Sequence, residues 1–186
     1  AARQAGRAPV VATATRMTFS AAIAVLAAPR FSVLLASNLL QLVGSGMAYA
    51  SMLYFLTYNM GQGAAALQLI GGLIVAVCAG IIVAQPLWVA VAKRVGKKPV
   101  YVLSAIGYGV TYIAWSQNAG SGIAVAYLFC VVAALFNSGW ALLSFSMMSD
   151  IAGEDRANAG LYSAAWVAVD KIGFALGGTL LVGLVL

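Results

Sequence analysis

Histidine is absent from this 186-residue chain, and charge is scarce: ten Lys and Arg, four Asp and Glu, 8% in all. A soluble domain carries about 25% charged residues, so the composition excludes an ordinary water-soluble fold. Without imidazole, proton chemistry falls to carboxylates or lysine, and the usual His-based metal and nucleophile sites are excluded. Two cysteines, Cys78 and Cys130, each sit inside an apolar run. They offer neither a disulfide framework nor metal-ligand spacing, and read as small core residues. Polar stretches are missing too, except as short breaks between long apolar runs.

What fills the chain instead is hydrophobic residue, 63% of the total. The runs are continuous rather than alternating, which selects helices over a barrel. The expectation is an all-α integral membrane protein with five spanning helices, at 31–59, 66–92, 100–116, 123–149 and 159–186. Residues 1–30 form a basic linker with an interfacial helix near 17–28. Residues 31–186 form one transmembrane unit. No initiator Met opens the chain and no polar tail closes it, so it reads as a segment of a longer protein.

The charges sort by position. Arg3, Arg7, Arg16 and Arg30 lie in the tail, Lys93, Arg94, Lys97 and Lys98 in the second connection, and Asp150, Glu154, Asp155 and Arg156 in the fourth. The other two connections hold none. With five spans, all the charged connections fall on one side, which the positive-inside rule makes cytoplasmic. The formal charge of +6 therefore sets topology and does not signal a nucleic-acid partner. These charged loops also read as a candidate cytoplasmic gate, involving Lys93, Arg94, Gly96, Lys97, Lys98, Asp150, Asp155 and Arg156.

One ionisable pair lies elsewhere. Asp170 and Lys171 sit in the middle of the last apolar run. Charges at that depth cost roughly 2.5–3.5 kcal/mol each on insertion scales and mark functional sites by default. Trp166, four residues before Asp170, shares its face and makes an aromatic platform beside a carboxylate. In the fourth span Asn137, Trp140 and Ser144 form a polar-aromatic stripe, read either as helix contact or as a cavity wall opposite the pair. Tyr108 with Tyr112, and Asn38, Gln41 and Ser45, form weaker stripes read as packing. Gly72, Ala76 and Gly80, then Gly173 and Gly177, predict close helix contacts. Tyr58, Trp88 and Trp115, near span ends, read as interfacial anchors, and Pro86 as a kink.

Three stretches carry a family resemblance. The loop from Gln85 to Lys98, with Pro86-Leu87-Trp88 and Lys93-Arg94-Val95-Gly96-Lys97-Lys98, resembles the signature loop of the major facilitator superfamily. Residues 38–61 are similar to the seventh helix of the glycoside-pentoside-hexuronide:cation symporters, the melibiose permease relatives. Residues 146–178 are similar to the link between their tenth and eleventh helices. The resemblance implies helices seven to eleven of a twelve-helix transporter in a bacterial inner membrane. It implies cation-coupled symport of a sugar or glycoside by alternating access, with the N-terminal six-helix half as partner. The coupling cation, Na+ or H+, would bind in that half, and no other cofactor is implied. It carries Lys171 onto the helix-eleven lysine between the sugar and cation sites. Asp170, Trp166, Trp140 and Asn137 complete the candidate site. The alternatives are a carrier of lysolipid or another organic solute, or a non-transporting membrane scaffold. Enzymatic activity is not expected, since paired Asp-rich motifs and His-based sites are both lacking.

Overall fold

The protein is described here by a computed structural model covering residues 19–118 and 120–185. Most of the basic tail, with Arg3, Arg7 and Arg16, lies outside the described residues. Within them the chain is helical. A short helix α1 (Phe19–Ala27) leads into α2 (Pro29–Tyr54), which continues as a π-helical turn, Phe55–Asn59. Then come α3 (Ala66–Val95), α4 (Lys97–Gln117), α5 (Ile123–Glu154) and α6 (Ala159–Val185).

Five long helices thus occupy the five predicted spans. Four are long and apolar enough to cross a membrane: Pro29–Asn59, Gly63–Val95, Ile123–Glu154 and Arg156–Leu184. Helix α4 is not among them, which corrects the expectation of five such segments. Its 21 residues reach about 31 Å. Tyr101, Ser104, Tyr108, Thr111, Tyr112 and Ser116, with Lys97 and Lys98 at its start, dilute its apolar character.

Helix α3 passes to α4 through a single residue, Gly96, at φ 98°. A side chain there would be strained, so glycine is what permits so tight a reversal. The charged connections meet at one end of the bundle, where Arg30 contacts Glu154 at 3.6 Å and Lys97 binds Asp150. The uncharged connections meet at the other, where Phe55 packs edge-on against Trp115 with ring centroids 5.3 Å apart. Helices α3 and α5 have 30 and 32 residues, about 45 and 48 Å. That exceeds a ~30 Å hydrocarbon layer, so their charged turns project beyond it.

Three helix pairs form the frame: α2 along α6, and α5 packed against both α3 and α4. Without a hydrophobic drive in lipid, such contacts rest on close van der Waals fit, which small residues allow. Between α2 and α6, a Cβ on Gly177 would collide with the Val43 carbonyl and lie 2.9 Å from Gly46 Cα. Between α3 and α5, the Gly80 position meets Ala134, and Gly139 meets the Trp88 ring. Trp88, 5% exposed, donates its indole N–H to the Leu135 carbonyl at 2.6 Å. It is a core residue rather than an interfacial anchor. So is Trp115, buried among Phe55, Tyr112 and Phe129. Tyr58, at 77% exposure, does face outward. Cys130 is buried, whereas Cys78 is exposed rather than in the core.

Candidate functional site

Asp170 and Lys171 are neighbours in sequence but diverge by about 100° on a helix. The structure gives them opposite surroundings. Asp170 is half-buried and turned to α2, where its Oδ1 accepts a hydrogen bond from Asn38 Nδ2 at 2.7 Å. Asn38 itself is 1% exposed. The bond fixes Asp170 against a residue 132 positions away in sequence. Lys171 is exposed and has no hydrogen bond or ion pair among the described residues. With α6 bounded at Ala159 and Val185, Lys171 lies roughly 18 Å from one end and 21 Å from the other.

Trp166 follows Asp170 onto the packed face. It is buried in a cluster with Phe31, Trp88, Trp140, Leu143 and Tyr162. Its ring is enclosed by the protein, so here it supports the helix contact instead of standing open beside the carboxylate. Trp140 belongs to the same cluster, and its Nε1 is the one buried side-chain polar atom without a partner among the described residues. Such an orphan donor costs about 1–3 kcal/mol. Ser144 bonds back to the Ala141 carbonyl of its own helix.

Asn137 lies apart from that pair. It lines a small cavity with Tyr49, Tyr108, Tyr112 and Cys130. Beside it runs a cleft of about 400 Å³ between α2, α4 and α6, lined by Gln41, Ser45, Ser51, Tyr108 and Tyr112 among others. Hydroxyls chain along it: Ser45 donates to Tyr108 at 3.3 Å, and Tyr108 to Tyr112 at 3.3 Å. The two stripes read as packing in the sequence therefore meet across α2 and α4. Their spacing of three and four was the available signal. Tyr49 lay outside the sequence reading, although it continues the Gln41–Ser45 spacing.

At the charged end, Lys97 pairs with Asp150 and Arg30 with Glu154. Both pairs join helices of this one bundle. Asp155 accepts from Asn158 Nδ2 at 2.9 Å, capping the turn into α6. Lys93, Arg94, Lys98 and Arg156 make no hydrogen bond or ion pair among the described residues.

Long apolar helices, charges gathered at one end and a lone ammonium at mid-span define a multi-pass membrane protein. The family described as MFS/sugar transport protein matches residues 9–186, and the chain belongs to that family, transporters of the major facilitator superfamily. No curated protein and no solved structure matches the chain.

Proposed function

We propose that the chain contributes the C-terminal half of a cation-coupled symporter for a sugar or glycoside, resembling the melibiose permease relatives. In this reading residues 31–186 form one wall of a cavity between two helix bundles, and alternating access moves the solute past it. The coupling cation, Na+ or H+, binds in the N-terminal half. The charged end faces the cytoplasm.

The observation that supports the reading is Lys171. An ammonium halfway along a spanning helix is costly against lipid and normally turns to a protein interior or a wet cavity. Here it stands exposed, without a hydrogen-bond or ion-pair partner among the described residues, on an open face of α6. Ala164, Ala168 and Ala175 flank it at helical spacing, with the larger Val167 and Phe174 exposed beside it, and among the described residues nothing lies within 4 Å of where a Gly178 Cβ would be. Such a face suits a solute pathway, with the ammonium serving carboxylates of the opposing half. Asp170, Trp166 and Trp140 then act behind the wall, holding α6 at the depth and rotation that keep Lys171 in the path. Asn137 serves with the hydroxyls of the tyrosine-lined cleft.

In the intact transporter, Lys171→Ala is expected to abolish coupled uptake while membrane insertion is retained. Normal uptake by that variant removes the reading. Labelled sugars and lysolipids offered to proteoliposomes separate the cargo classes. Uptake of lysolipid alone turns the assignment to a lipid carrier of the same superfamily.

A further inference from the structure

At the charged end, α2, α4 and α5 leave between them a cleft of about 730 Å³. Apolar side chains, among them Val33, Val102 and Met147, form much of its lining. Val33 is 71% exposed, so this wall is greasy and open to whatever surrounds the bundle. Two cations line the same cleft, Arg30 and Lys98. Asp150, the acid among its lining residues, is already bound by Lys97. Among the described residues Arg30 reaches only Glu154, at 3.6 Å between two well-exposed side chains, a contact that holds weakly in water. Lys98 has no hydrogen bond or ion pair among the described residues.

The depth of the cleft follows from its cations. Helix ends carrying this many Lys and Arg do not enter the hydrocarbon, whereas the apolar wall running from them does. The cleft therefore sits where phospholipid headgroups meet acyl chains. We propose that it holds an anionic phospholipid, its phosphate between Arg30 and Lys98 and an acyl chain laid along Val33, Val102 and Met147. Charge complementarity chooses this occupant. A zwitterionic lipid brings a phosphate whose charge its own ammonium offsets, and an apolar helix brings none, so neither adds the net negative charge that two cations in one cleft favour. Basic pockets between spanning helices are a recurrent way to bind acidic headgroups. The site is separate from Lys171 and does not depend on which solute is carried.

The test is native mass spectrometry of the purified protein in detergent, titrated with phosphatidylglycerol or with phosphatidylcholine. Phosphatidylglycerol is expected to stay bound where phosphatidylcholine does not. The variant Arg30→Gln/Lys98→Gln is expected to bind it about tenfold more weakly. The variant Lys93→Gln/Arg94→Gln, which removes the same charge from the same end but outside the cleft lining, is expected to bind it as the parent does. Equal retention of both lipids, or equal weakening by both double variants, overturns the proposal. So does displacement of the lipid by inorganic phosphate, which marks a bare anion site. If the first double variant does not fold, Val33→Trp serves instead. It fills the cleft without touching charge, and unchanged phosphatidylglycerol binding overturns the proposal.

Discussion

Along α6, the side turned to α2 carries Tyr162, Trp166, Asp170, Gly173 and Gly177. The opposite side carries Ala164, Val167, Ala168, Lys171, Ala175 and Val182. The first side buries its aromatics, satisfies its carboxylate through Asn38 and closes to backbone contact at Gly177. The second leaves its side chains exposed, Val167 and Val182 among them, and its ammonium has no hydrogen bond or ion pair among the described residues. Mid-span charge is thus not one signal but two. A charge that a neighbouring helix satisfies belongs to the architecture, and a charge that nothing in the bundle satisfies is available for something outside it.

The packed side gives the largest effect. Gly177→Leu places a side chain where the Val43 carbonyl and Gly46 already sit. Forcing atoms into so close a seam costs about 3 kcal/mol, and glycine-mediated approach is what holds helices together in lipid. The variant is expected to lose that much stability in detergent unfolding, or to fail to fold. If its unfolding midpoint matches the parent, the α2–α6 seam is not the frame described here.

The polar contact on the same side comes next. Asn38→Leu and Asp170→Leu, singly and together, form a double-mutant cycle whose coupling energy is expected near ~1 kcal/mol. That is the scale measured for hydrogen bonds between membrane helices. Zero coupling would detach Asp170 from the architecture and make the two charges of α6 alike again.

The fold was largely legible in the sequence, for a physical reason. Helices must be long and apolar to cross lipid, and the chain marks each break with charge or glycine, so predicted and observed helices begin and end within a few residues. Depth along the membrane could be read, but lateral direction could not. Lipid and protein interior are both apolar, so a helix facing both carries little periodicity to say which side is which. Position near a helix end therefore does not tell an interfacial tryptophan from a buried one, and Trp88 and Trp115 lie inside. Trp166 is the same case: spacing gives its face, but α2 closes that face. Asn38 was visible only as part of a polar stripe, because its partner Asp170 lies 132 residues on. Spacing along one helix cannot supply a contact between two. Helix α4 shows the reverse case. Its tyrosines and serines lower its apolar character, yet those same hydroxyls join it to α2 through Ser37–Tyr101 at 2.7 Å and Ser45–Tyr108 at 3.3 Å.

The open side of α6 yields the smallest effect and the sharpest use of the comparison. Lys171 makes no hydrogen bond or ion pair among the described residues, so removing its charge takes nothing from the packing of this bundle. Lys171→Leu is expected to shift unfolding stability by less than about 0.5 kcal/mol, the range of surface substitutions that touch no special feature. The Asp170 variant on the next residue loses its bond to Asn38. A large destabilisation by Lys171→Leu would mean that the ammonium holds the bundle together, and the division of α6 into a held face and a free face would fail. Stability unchanged with coupled uptake lost is the combination that only a residue facing outward toward a solute path or an opposing bundle can produce. A packing residue loses both together, and an idle surface lysine loses neither.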